Sequence, residues 1–222
     1  MNPAKPSKPI GTGSLRRSDS PEENAAWDKY FDYLLKSLRD PEPNARIRAA
    51  QILGDNRDPR AVEALGEALG DPDAGVRQNA TIALGKIGAP ALDALIAALQ
   101  DPDRDVRQFA AKALGQIGDP RGIAGLVIAL HDTQMDVRSQ AAFALSRIGA
   151  PAVDALITAL QDPDANVRAN AARILGQISD ARALPALERV AQSDRGTARV
   201  TGSLINVAEA ARQAVEKIKS KK

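Results

Sequence analysis

The phrase DPDAGVRQNATIALGKIGAPALDALIAAL (71–99) returns as DPDRDVRQFAAKALGQIGDPRGIAGLVIAL (101–130). It returns again as DTQMDVRSQAAFALSRIGAPAVDALITAL (132–160) and as DPDANVRANAARILGQISDARALPALERV (162–190). The arginine after each valine falls at Arg77, Arg107, Arg138 and Arg168, at spacings of 30, 31 and 30 residues. An earlier copy, DPEPNARIRAAQILG from Asp40, places Arg46 31 residues before Arg77. The one-residue difference sits in the connector, IGAP in the short form and IGDPR in the long one. Self-similarity at such a period is the signature of a stacked array.

Each copy reads as two helices. The second, from Val106 in one copy, carries apolar residues at offsets 0, 4, 7, 8 and 11, a single helical stripe. The first, such as PALDALIAAL from Pro90, opens with a proline where a missing N–H costs nothing. Asp71, Asp101 and Asp162 are candidate caps, and the proline after each bars helix continuation. Gly88, Gly118 and Gly149 fall where a left-handed residue ends a helix. Neither helix buries its stripe alone, so the copies must stack around one continuous core. The expected fold is all-α, a right-handed α-solenoid of about six stacked helix pairs with a 30–31 residue period.

The ends depart from the repeat and read as caps of a single solenoid domain over 21–218. PEENAAWDKYFDYLLKSL (21–38) is a first helix holding the only Trp and both Tyr, which read as packing the open end rather than holding a ligand. Repeats follow over about 40–192, then a long loop over 193–206 and a C-terminal cap helix over 207–218. Residues 1–20, with three Pro, read as a disordered basic tail, and 219–222 as a second short basic tail.

Composition removes several chemistries. There is no Cys, which excludes disulfides, thiolate catalysis and cysteine metal sites. A lone histidine, His131, excludes any site needing two imidazoles; it stands where other copies have Gln100 and Gln161 and reads as a surface residue. No run approaches a membrane span and no apolar segment of signal type opens the chain, so a cytoplasmic protein without membrane insertion is expected. The net charge of +2 divides into +3 over residues 1–20, +4 over the last six and −5 between. A body of that sign argues against a general phosphate-binding surface. No nucleophile–base pair, metal cluster or phosphate loop emerges, so neither catalysis nor a cofactor is expected.

The recurring phrase DPDxxVRxxAAxALGxIGDPRAV resembles the short HEAT-like repeat first associated with the phycobilin lyase subunits of cyanobacteria, over about 40–218 and most specifically 71–178. The resemblance implies an α-solenoid whose second helices line a concave face that binds other proteins. It also implies that loop aspartates and the arginines after them form a structural ladder between adjacent repeats: Asp71 with Arg77, Asp101 with Arg107, Asp132 with Arg138 and Asp162 with Arg168. Deoxyhypusine hydroxylase resembles this architecture but needs His-Glu pairs for two irons, which one histidine cannot supply. The alternative implied by the resemblance is an accessory protein or subunit of a phycobilin lyase, handling a tetrapyrrole.

Comparison of the copies with one another separates what the fold dictates from what it leaves free. Counting from Ala45, Val76, Val106, Val137 and Val167, offsets 3, 6 and 10 vary among the copies and fall on one stripe of their own. That stripe carries Arg48, Gln51 and Asp55, then Asn79, Ile82 and Lys86. It continues through Phe109, Lys112 and Gln116; Gln140, Phe143 and Arg147; and Asn170, Arg173 and Gln177. Amides alternate with cations, and two of the three Phe sit in the central copies. Aromatic anchors ringed by Arg and amides suit a protein-binding face. The competing reading has each Phe lean onto a neighbouring first helix. The expected function is a non-catalytic interaction scaffold gripping an acidic or mixed-polarity segment, with nucleic acid the lesser reading. LRRSDS (15–20) also matches a basophilic kinase site at Ser18.

Overall fold

The computed structural model describes residues 21–200 and 203–221. The expected basic tail at 1–20, with Ser18, lies outside the described residues. The chain forms two compact units, one reaching to Ala98 and one beginning at Leu99.

The first unit runs α1 (Pro21–Ser37), α2 (Pro43–Asn56), α3 (Val62–Glu67), α4 (Ala74–Ile87) and α5 (Leu92–Ala98). The second runs α6 (Arg104–Ile117), α7 (Ile123–Ile128), α8 (Met135–Ile148), α9 (Val153–Ala159), α10 (Ala165–Ile178), α11 (Leu184–Ser193) and α12 (Val207–Lys219). Even-numbered helices are the second helices of the pairs, and the fold is an all-α repeat solenoid. After α1, each first helix opens with a single 3-10 turn, such as Pro59–Ala61, Pro120–Gly122 or Ala181–Ala183. A proline at N1 or N2 of most of these turns fixes φ without losing a hydrogen bond. The recurrent offsets are the core: Val76, Ala80, Leu84, Val106, Ala110, Leu114, Val167, Ala171 and Leu175 are all fully buried.

Second helices approach one another closely because each tight pair has a glycine at the crossing. A Cβ on Gly54 of α2 would stand 2.6 Å from the Cα of Ala83 in α4. On Gly115 of α6 it would stand 2.8 Å from Ala144 of α8, and on Gly176 of α10 2.9 Å from Ala214 of α12. Gly85 of α4 holds the same offset, 31 residues after Gly54, so the glycine alone does not set the unit; the connectors show a double repeat of 61 residues. Asp58–Arg60, Asp119–Arg121 and Asp180–Arg182 follow the first member of each pair, while Gly88 and Gly149 follow the second. In α8 the glycine position is Ser146, and α8 touches α10 over a shorter stretch than it touches α6.

The local chemistry differs from the sequence expectation in two details. The caps are Asp73, Asp103 and Asp164, whose carboxylates accept from backbone N–H groups at 2.8–3.0 Å. Asp71, Asp101 and Asp162 instead accept from the N–H of the residue two places on, closing the loop before the cap. Of the three helix-ending glycines, only Gly118 is left-handed α (φ 73°, ψ 13°). Gly88 (φ 89°, ψ −137°) and Gly149 (φ 77°, ψ −135°) occupy a region open to glycine alone.

The first helix buries Trp27, Tyr30 and Phe31, with Trp27 rings 5.9 and 6.0 Å from those of Tyr30 and Phe31. Arg60 lies over Phe31 at 4.4 Å and bridges Asp58 and Asp28, pinning α1 onto the first pair. At the other end, residues expected as a long loop (193–206) contain an antiparallel hairpin, β1 (Thr197–Val200) with β2 (Ser203–Asn206), Ala198 opposite Ile205. Ala198 packs with Ala169 and Val207 in a small satellite core, which gives the inserted segment a buried side and so an ordered pairing. Asn206 then caps α12.

Candidate functional site

The charges that recur in every copy are consumed by the scaffold. Arg46 donates through Nε and Nη2 to both carboxylate oxygens of Asp71 at 2.7 and 2.8 Å. Arg107 does the same to Asp132 at 2.6 and 3.0 Å, and Arg168 to Asp194 at 2.7 and 3.2 Å. The third nitrogen, Nη1, turns back to the carbonyl of the arginine's own loop, as in Arg107 to Asp101 at 2.7 Å. Arg77 and Arg138 make the same backward bond, to the carbonyls of Asp71 and Asp132. The ladder therefore joins the guanidiniums of Arg46, Arg107 and Arg168 to the carboxylate one repeat further on, not to that of their own loop. Arg46 and Asp194, absent from the sequence expectation, are its two ends among the described residues.

Burial pushes the Asp71 and Asp132 carboxyls up, but the arginine and the loop N–H each one accepts from outweigh it and leave both below the usual range. For Asp194 the Arg168 hydrogen bond dominates and the direction is the same. Arg138 has no ion pair with Asp162; that carboxylate takes His131 instead, Nε2 to oxygen 3.0 Å. His131 is otherwise a surface side chain.

The variable stripe divides by unit. On α2 and α4 it is largely self-satisfied. Gln51 donates to Asn79 at 2.9 Å, Asn79 to the Gly75 carbonyl at 2.7 Å, and Lys86 pairs with Asp55 at 2.7 Å. Ile82 is half-buried, and Arg48 alone is exposed without a partner.

On α6, α8 and α10 the arrangement is different. Phe109 is half-buried, whereas Phe143 is 57% exposed. Lys112, Gln116, Arg147 and Gln177 are exposed and Gln140 half-buried. Asn170 leaves the candidate face: it is 4% exposed, and its amide donates to the Asn166 carbonyl at 2.9 Å. Arg173 is half-buried, with Nε buried and unpartnered. Lys112, Arg147 and Arg173 have no carboxylate partner among the described residues. No Asp or Glu stands at offsets 3, 6 or 10 of these helices. The alignment of Gly176 on Ala214 sets the register of α12 and adds two residues the sequence reading missed, Gln213 and Lys217. Both are exposed, and Lys217 has no acidic partner. Counting offsets from Val207 was the signal that pointed to them.

The second unit therefore presents a face with one unpaired cation on each of four successive second helices, amides between them, and one exposed aromatic ring. No group of three or more His, Cys, Asp or Glu among the described residues is placed to hold a metal. No single described helix is long and apolar enough to cross a membrane.

A family profile described as HEAT repeats matches residues 31–98, 89–146 and 123–208. No curated protein matches the sequence. Among solved structures, two engineered proteins from the Northeast Structural Genomics Consortium are similar. The first is 25% identical with a TM-score of 0.50, covering 86% of this chain and 96% of that one. The second is 24% identical with a TM-score of 0.51, covering 86% and 98%. The complex of CpcE and CpcF of phycocyanin lyase from Nostoc sp. PCC7120 is 21% identical with a TM-score of 0.42, covering 96% and 100%.

Proposed function

The chain belongs to the HEAT-repeat family, and from that premise we propose that it is a non-catalytic scaffold whose second helices bind an extended acidic segment of another protein. One observation carries this reading: Lys112, Arg147, Arg173 and Lys217 stand unpaired, one per helix, on a stripe with no Asp or Glu at its own positions that exposes Phe143. Packed helices lie about 8–10 Å apart, and an extended chain advances about 3.3 Å per residue. A segment crossing the helices thus meets a cation about every third residue. Acidic residues at that spacing, with one apolar side chain over Phe143, match the face in charge and period.

The test is fluorescence anisotropy of a labelled peptide with Glu at every third position and Leu between. Binding should weaken with salt. Arg147→Glu should reduce affinity at least about tenfold and Phe143→Ala about 3–30-fold, with melting temperatures near that of the wild type because both side chains are exposed. Equal affinity for the Lys-for-Glu peptide or for single-stranded oligo-dT would overturn the reading, as would a large loss of stability in Phe143→Ala.

A further inference from the structure

A cavity of about 180 Å³ opens between α1 and α2 in the first compact unit, with Tyr30, Tyr33, Leu34, Asp40, Arg48 and Ile52 in its lining. A cavity of about 150 Å³ holds a benzene ring, whereas cofactor pockets run from about 300 to 1,000 Å³. This slot therefore has room for one ring and no more. Its origin is legible in the repeat: offset 0 is Val76, Val106, Val137 and Val167 in later copies, all buried, but Ala45 here, half-buried. The two missing methyl groups leave the space open beside Ala45, which also lines it.

Its lining joins the apolar Leu34, Ala49 and Ile52 to the polar Ser37, Asp40 and Arg48. Tyr30 and Tyr33 stack on one another at 6.2 Å with an interplanar angle of 17°, and both line the slot. Arg60, over the Phe31 ring at 4.4 Å and paired with Asp28, holds α1 in place beside the slot. In this lining the Arg48 guanidinium has no carboxylate partner, while Asp40 accepts from the Glu42 N–H through one oxygen at 2.9 Å. A donor of fixed charge next to apolar side chains suits an aromatic residue with an acidic neighbour.

We propose that this slot takes the aromatic side chain of a peptide whose adjacent carboxylate side chain meets Arg48. The proposal rests on the reading that the chain grips acidic segments, and adds an aromatic anchor in the first unit. The probe is acetyl-Phe-Glu-amide, titrated into the full chain and followed by ¹H–¹⁵N shifts of Ser37, Ala45 and Ala49. Ala45→Val restores the side chain of the later copies and should abolish the shifts without lowering the melting temperature. Arg48→Gln should weaken the Phe-Glu probe at least threefold and leave acetyl-Phe-Gln-amide unchanged. Three results would each overturn the proposal: undiminished binding to Ala45→Val, equal binding of the Glu and Gln probes, or tight binding of acetyl-phenylalanine alone, which would mean a chain terminus is the guest. Phe143→Ala should bind the dipeptide as the wild type does; loss there would move the probe to the second unit. Dipeptide binding with no binding of the long acidic peptide would sink the proposed function and leave the slot standing.

Discussion

At the scale of single residues, glycine in mid-helix is the most telling feature, and its role is not visible in one helix alone. Helical periodicity identifies Gly115 as a weak link in α6, since glycine inside a helix costs about 1 kcal/mol against alanine. The structure shows what it is exchanged for: a backbone approach in which any Cβ meets Ala144 at 2.8 Å. Gly66 in α3 has nothing within 4 Å of the same position. The two should therefore respond oppositely to one substitution. Gly115→Ala should destabilise by about 1–3 kcal/mol through overpacking against backbone, and Gly66→Ala should stabilise by about 0.5–1 kcal/mol. Urea denaturation of both variants checks the sign, and a neutral Gly115→Ala would mean the helices yield. The two off-stripe phenylalanines teach a similar lesson. Their position in the repeat says that the core does not dictate them, yet only Phe143 stands clear of its neighbours. Exposure depends on which side chains flank the ring on the next helix, which periodicity does not contain.

At the scale of helices and loops, the family resemblance named most of the ladder's members but paired each arginine with its own loop, for one arginine sits six residues from its own aspartate and 25 from the next. Arg107 lies equally well placed for either in a linear reading; the stacking of α6 on α8 brings Asp132 to its fork at 2.6 Å. The bidentate geometry makes this a stronger bond than an exposed ion pair. Asp132→Asn should cost about 1.5–3 kcal/mol near neutral pH. The pH dependence has a definite sign. The Asp132 carboxyl titrates lower folded than unfolded, so its stabilising contribution is full above the unfolded value of about 3.9. That contribution is lost as pH falls through the folded value. The stability gap between wild type and Asp132→Asn should thus be constant from about pH 6 to 5 and narrow toward pH 3. Thermal melts across that range measure it; a gap that widens in acid contradicts the assignment. The hairpin at 197–206 eluded sequence reading for a related reason. TARV and SLIN are four-residue strands, too short to announce themselves by alternation, and their order comes from burial of Ala198 on Ala169 and Val207.

At the scale of the whole molecule, the solenoid was legible because the period is a property of the entire chain, repeated from Asp40 to Ile178. The alternation within it, a double repeat of 61 residues, was present in the connectors: Asp58, Asp119 and Asp180 in one form, Gly88 and Gly149 in the other. The division at Ala98 and Leu99 has no marker in composition, since both sides carry the same motif. In repeat arrays stability is a sum of local and nearest-neighbour terms, and opening is local. The glycine crossings then predict how damage spreads. Gly54→Ala forces α2 off Ala83 of α4, a contact wholly inside the first unit. Hydrogen exchange on the full chain should show faster exchange across α2 to α4, with α10 and α12 protected as in the wild type. Gly176→Ala should give the converse, exposing α10 and α12 while α2 and α4 keep their protection. The two patterns are complementary because Gly54 and Gly176 sit at equivalent crossings of different units. Uniform loss of protection in both variants would instead show that the array opens only as a whole, and the nearest-neighbour account of its stability would fall with it.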